Sequence, residues 1–383
     1  MYRPRAGGAS VILKRKCNSE VTGRYTVRVY RWRAAALSFL FLLVPGRLLS
    51  GDPISTSAAA PLTFHLGPVT LAPSGFLESL TPVRSRTTHD DASTRFGSIP
   101  LTDSPLEAIH SFRHSRIALD FSAPGGPGRF SGYIETDFLN RPPLQPYRFR
   151  LYFARYTVGD WEFSGGQEYS LLRPNRAGIS SETNLMNTRV ADPAYHVGLL
   201  GYRNRQVRVM RLMGSWSAAA TFEDGRNGAA KLVRDSRRLH WEVAGLAGRG
   251  GRYGASVAAV VHAAPGIDVV AQQGIVRGET DYTLRVVPED VAGVSTLAGL
   301  EAKVGRLFEF YGYGGAVRGR RPPGNRLVAE FTAGLARSVQ RDRYGSTTVG
   351  AQLSRFHRTV WQGPEGPMNM FMLQIRRSLE PHR

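Results

Sequence analysis

Cysteine is almost absent from this chain, lysine is scarce, and no apolar run reaches the roughly 20 residues of a membrane-spanning helix. The one cysteine, Cys17, lies in a basic N-terminal stretch. That stretch leads into AAALSFLFLLVP (34–45), with Arg24, Arg28, Arg31 and Arg33 before it and Ser50, Gly51 and Ala58 to Ala60 after it. A basic region, a short apolar core and a small-residue exit are the pattern of a secretory signal. Residues 1–60 are therefore expected to be removed, with cleavage near Gly51 or Ala60. The long basic region suggests a start at a downstream valine such as Val21, Val27 or Val29. A mature chain from residue 61 then has no cysteine, which excludes disulfides, thiolate metal sites and thiol catalysis. Removing the first 50 residues leaves 40 basic against 29 acidic residues, about +11, and the only lysines left are Lys231 and Lys303. The arginines are scattered singly along the chain, which argues against a nucleic-acid partner.

Metal and catalytic signatures are missing too. His110, His114, His196, His240, His262 and His357 stand apart with no ligand spacing, and Ser170, Ser180 and Ser181 lack a nucleophile-elbow context. No cofactor and no enzymatic activity are expected.

What is present is period-two alternation. Residues 112–170 read as four consecutive strands. Ile117, Leu119 and Phe121 alternate with Arg116, Ala118 and Asp120; Ile134, Thr136 and Phe138 alternate with Glu135 and Asp137. Then Tyr147, Phe149, Leu151 and Phe153 alternate with Arg148, Arg150, Tyr152 and Ala154, and Trp161 and Phe163 open the fourth strand. One face is apolar and aromatic while the other is charged. A soluble sheet with one wet face gives the same pattern, so these four strands alone leave the class open.

The rest of the chain narrows it. A first strand is expected around Gly75 to Arg86, and a polar loop over 87–111. After a long aperiodic stretch (170–194), alternation returns in YHVGLLGYR, QVRVMRLM, SWSAAATFED, RRLHWEVAGLAG, RYGASVAAVVHAA, IDVVAQQGIV, YTLRVVP, STLAGLEAKV, RLFEFYGYGG, RLVAEFTAGLA, STTVGAQLSRF and MNMFMLQIRRSL. The fold class read from this is all-β: one transmembrane antiparallel β-barrel over 61–383 with about sixteen strands, give or take about two. A sandwich of that size needs two apolar inner faces, whereas here the second face keeps its Arg, Glu, Asp and Gln. Closure also removes edge strands.

Specific strings then point to a family. SGFLES, FGSIPL, SRIALDF, GYIETDFL and RFRLYFARYTVGDWEFSGGQEYSLLRPNRAGIS, with LAGLEA, YGYGG and GPEGPMNMFMLQIRRSL near the end, resemble the outer-membrane porins of the acidobacterial type, related to the dicarboxylate-porin-like family. The likeness runs from about Thr63 to Pro381. Two features depart from that family: the last strand ends on Arg376, Arg377, Ser378 and Leu379 where aromatics are usual, and the later loops are short.

The resemblance implies a homotrimer in the bacterial outer membrane, with lipid and small hydrophilic solutes as its partners. It also implies that residues 170–194 fold inward as a constriction loop, bringing Arg173, Arg176, Arg189, Glu182 and Asp192 to the pore. Strand parity independently sends Arg116, Arg148, Arg150 and Tyr152, with Glu135 and Asp137, to the lumen. A charge on the opposite, lipid-facing side would cost roughly 2–4 kcal/mol at mid-membrane. Arginine stays charged and can grip carboxylates or phosphates with two hydrogen bonds, so this set predicts a preference for anions such as carboxylates. The same arginines could instead pair with Glu135, Asp137 and Glu182 to hold the loop. The competing reading is a non-conducting barrel with an adhesion or structural role; a soluble, polyanion-binding sandwich ranks third.

Overall fold

The structure is a computed structural model that describes residues 62–139, 147–181, 190–342 and 344–379. The expected signal and its cleavage site lie outside these residues. The strands are β1 (Phe64–Leu66), β2 (Val69–Arg84), β3 (Glu107–Ala108), β4 (Arg116–Gly125), β5 (Gly128–Asp137), β6 (Arg148–Val158), β7 (Trp161–Tyr169), β8 (Arg203–Met213) and β9 (Trp216–Glu223). They continue as β10 (Asn227–Asp235), β11 (Leu239–Gly248), β12 (Arg252–Ala264), β13 (Ile267–Arg277), β14 (Gly293–Val304), β15 (Phe308–Gly319), β16 (Asn325–Asp342), β17 (Gly345–Val360) and β18 (Glu365–Ser378).

Each long strand pairs antiparallel with its neighbours in the chain, and β18 returns to pair with β2, Met370 opposite Arg84 through Ser378 opposite Phe76. The result is a closed barrel of sixteen strands, with the short β1 and β3 as additions to β2. Outward positions carry Ile117, Phe149, Val207, Phe222, Val257, Leu300, Phe331 and Leu353, all exposed. Inward positions of these and neighbouring strands carry Glu135, Arg208, Glu242, Gln272, Glu301 and Glu330, all buried. This is a barrel with an apolar exterior and a polar lining.

Short turns lie at one end; among the described residues, 85–115, 170–181, 190–202 and 278–292 belong to long connections that leave from the other end and fold into the barrel. There Ala92, Phe96, Ile99, Ala191, Val197, Val286 and Val291 pack with the inward-facing Val317, Val328, Phe356, Met368, Met370 and Met372 as one apolar core. The lumen is thus partly filled by the chain's own loops.

Sequence and structure differ at four places. YHVGLLGYR (195–203) alternates like a strand but, up to Tyr202, is part of the inward loop, with Gly198 and Gly201 at φ +91° and +93°. YTLRVVP (282–288) is also loop, since Leu284 and Arg285 adopt φ +53° and +63°, which no strand accommodates. Conversely β10 is a strand that its NGAAKLVRD sequence, with its Asn-Gly and two alanines, barely advertises; pairing to β9 and β11 on both sides holds it extended. The fourth difference is a bulge in β6. Glu135 pairs with Leu151 and Thr136 with Phe149, leaving Arg150 as the extra residue. Side-chain parity reverses there, so Leu151 and Phe153 turn inward and Tyr152, expected in the lumen, points outward.

Candidate functional site

The described parts of loop 170–202, residues 170–181 and 190–202, reach across the barrel because their backbone N–H groups find acceptors on the far wall. Leu171 donates to Glu223 Oε1 (3.3 Å), Asn175 to Glu242 Oε2 (3.1 Å), Ala191 to Gln352 Oε1 (2.8 Å), Val197 to Glu330 Oε2 (2.7 Å) and Leu200 to Gln272 Oε1 (3.3 Å). These acceptors come from β9, β11, β17, β16 and β13 in turn. A loop buried this way has no water for its donors, so side chains of the wall must replace it. Arg176 adds two charged ties, to Asp268 (2.9 Å) and Glu301 (2.6 Å). Contact is closest at Gly315 on β15, where a Cβ would collide with the Val197 carbonyl. The YGYGG motif thus marks a seat for the loop.

With the loop drawn to that wall, a cavity of about 510 Å³ remains on the other side. Arg148 and Arg150 of β6, Tyr169 of β7, Arg203 of β8, and loop residues Asp91, Arg95, Arg113, His114, Arg173, Tyr195, Tyr202, Asp281 and Arg285 line it. Seven arginines face two aspartates. Most are paired: Arg148 grips Asp137 (2.6 Å), Arg150 reaches Glu135 (2.7 Å) and Asp137 (2.9 Å), and Arg116 meets Glu135 (3.3 Å) behind them. Arg95, Arg113 and Arg285 pair with Asp90, Asp91 and Asp281.

Arg173 and Arg203 differ. Among the described residues neither has an ion-pair partner. Arg173 is 2% exposed, donates once to the Gly201 carbonyl at 3.4 Å, and leaves Nε and Nη2 without hydrogen bonds. Its guanidinium lies over the rings of Tyr169 and Tyr195, and that of Arg203 over Tyr202. Such stacking holds a cation in place while its N–H edge stays open. Buried donors without acceptors are costly, and a site that passes anions supplies acceptors transiently.

Two further features bear on charge. Burial alone would raise the Tyr195 phenol, but Arg116, Arg150 and Arg173 outweigh it and pull the group below the ordinary phenol range. Burial pushes His114 down to about 4, so it adds no positive charge near neutrality. Tyr195, Leu284 and Arg285, all at the cavity, are left-handed without being glycine. Strain of this kind, of order 1–3 kcal/mol each, persists only where surrounding contacts enforce it.

Of the residues singled out from sequence, Arg148, Arg150 and Arg173 meet at the cavity, with Arg116, Glu135 and Asp137 in the ion-pair network behind it. Arg176 is committed to the far wall, and Asp192 accepts from the Thr94 and Ala194 backbones instead of facing the cavity. Tyr152 faces outward; Glu182 and Arg189 lie outside the described residues. Sequence reasoning missed Arg95, Arg113, Arg203 and Arg285. Arg95, Arg113 and Arg285 sit on loops 85–115 and 278–292, where the only available signal was loop length, and Arg203 opens β8 directly after loop 170–202.

No family model matches the chain, and no curated protein matches it in sequence. Solved structures do match. The outer membrane channel DcaP of Acinetobacter baumannii superposes with a TM-score of 0.68 at 17% identity, covering 81% of this chain and 97% of that one. An anion-selective porin from Comamonas acidovorans gives 0.60 at 11%, covering 81% and 99%. OmpT of Vibrio cholerae, an outer membrane protein, gives 0.57 at 9%, covering 83% and 99%. At these identities the shared property is the fold.

Proposed function

We propose that this chain is an outer-membrane porin, related to the dicarboxylate-porin-like family, that lets small hydrophilic solutes diffuse passively and favours anions such as carboxylates. The carrying observation is the cavity beside the inward loop, where seven arginines face two aspartates and, among the described residues, Arg173 and Arg203 have no carboxylate partner and keep guanidinium N–H groups without acceptors. The apolar exterior fits lipid and the polar interior fits water. The likeness to porin structures supports the barrel reading, and the family resemblance adds export by a cleaved signal and a homotrimeric assembly. The cavity's groups can attract, orient and release a charged solute, which is transport chemistry.

Liposome swelling tests the proposal. Vesicles carrying the folded chain should swell in isotonic small carboxylates and in small sugars, faster for the carboxylate at equal size. Vesicles that stay tight with verified folded protein would point to the non-conducting barrel, which the loop-filled lumen also accommodates.

A further inference from the structure

The outer surface of the barrel is not uniformly convex. Over β7 to β11 it carries a groove of about 580 Å³ whose floor is Ala218, Ala220, Ala230 and Gly245, bounded by Trp161 and Met213. The register explains the hollow. Ala220 sits opposite Val209 on one side and Ala230 on the other, and Ala230 sits opposite Gly245, so three adjacent strands, β9 to β11, present alanine or glycine in one row beside Val209. One row nearer the short turns, Arg211 lies opposite both Trp161 and Ala218, with its guanidinium 5.2 Å from the Trp161 ring centre. Another step toward the turns, Arg234 lies between Trp216 and Trp241, its guanidinium 5.3 Å from the Trp216 ring centre.

An arginine over a tryptophan at the margin of an apolar groove offers a fixed cation beside a hydrocarbon trough. The apolar part excludes a soluble ligand, and the two cations require an anionic head. Taking the short-turn end as periplasmic, as in other outer-membrane barrels, the head lies in the leaflet made of glycerophospholipid. We infer that this groove is a binding site for one glycerophospholipid, its acyl chain on the alanine floor and its phosphate on Arg211 and Arg234. The tryptophans brace the arginines at headgroup depth, where such rings reside. The inference rests on the outer-membrane reading but not on conduction: a non-conducting barrel would bind the lipid equally well.

Phosphorus analysis of organic extracts tests it. The chain, folded in phospholipid-containing membranes and purified in mild detergent, should retain about one phospholipid per protomer. Arg211→Ala with Arg234→Ala should cut retention about tenfold or more, since each lost cation weakens phosphate attraction. Ala220→Phe, which fills the groove and leaves both arginines, should cut it comparably. Folding of each variant is verified by heat-modifiable gel mobility. Equal retention by wild type and both variants overturns the site. So does a change in oligomeric state in the variants with phosphorus unchanged, which would make the groove a contact with a second copy. A chain that dissolves without detergent would defeat the outer-membrane reading itself, a failure distinct from these.

Discussion

The guanidinium of Arg173 lies 4.4 Å from the centre of the Tyr195 ring, and both residues belong to the same inward loop. The loop therefore supports its own cation. Tyr195 is held left-handed at φ +70°, and a hydrogen bond between its hydroxyl and that of Tyr169 (3.2 Å) ties the pair to β7. Arg173 is thus fixed where it can act on a passing charge without a carboxylate to cancel it.

Replacing Arg173 and Arg203 together by alanine should lower the chloride-to-potassium permeability ratio severalfold while leaving a folded, conducting barrel. The magnitude follows from removing two positive charges that no carboxylate pairs with, each worth about 1 kcal/mol at about 4 Å in water. Arg148→Ala should change the ratio less, because Asp137 already offsets that charge. Equal effects would mean that ion pairing does not decide which arginines matter.

Tyr195 makes the preference sensitive to pH. Its phenol ionises below the usual range, so raising the pH adds a negative charge beside Arg173 and cancels part of the positive field. Anion preference should fall as the pH rises through about 6, where Tyr195 ionises. Tyr195→Phe should stay flat over that rise in reversal-potential measurements; a parallel decline in the variant would assign the effect to other groups.

The bulge at Arg150 is checked by Tyr152→Arg. With Tyr152 outward at mid-strand, an arginine there meets lipid and should cost about 2–4 kcal/mol of folding stability in bilayers. Had Tyr152 faced the lumen, as strict alternation predicts, the substitution would be nearly neutral. Denaturant titration of folding into vesicles distinguishes these.

That residue also marks how far the sequence could be read. Alternation along β4, β5 and the start of β6 was enough to place Arg116, Glu135, Asp137, Arg148 and Arg150 inside, because the side-chain period is a local property. It could not reveal one extra residue in β6, since a bulge is set by the partner's register. The barrel was legible from the repeated strands, and a candidate constriction loop from the Arg148–Arg176 resemblance. The cavity was not: Arg95, Arg113, Arg203 and Arg285 converge from segments far apart in sequence. The apolar packing of Phe96 and Val286 on Met368, Met370 and Met372 looks, in sequence, like ordinary loop and strand composition.

Arg176 is the loop's charged anchor. Arg176→Ala leaves Asp268 and Glu301 without it and should loosen the loop, giving larger and noisier single-channel currents and a lower temperature for loss of the folded gel form. Unchanged current noise with the same thermal transition would show that the backbone hydrogen bonds to Glu242, Glu330 and Gln352 suffice alone.

The most direct measurement is the reversal potential of the folded mature chain in a planar bilayer under asymmetric potassium chloride. An anion-preferring pore gives stepwise currents that reverse at the sign set by chloride, shifting toward zero in the Arg173→Ala, Arg203→Ala chain. Reversal at the potassium sign, or no current from protein shown to be inserted, would contradict the account.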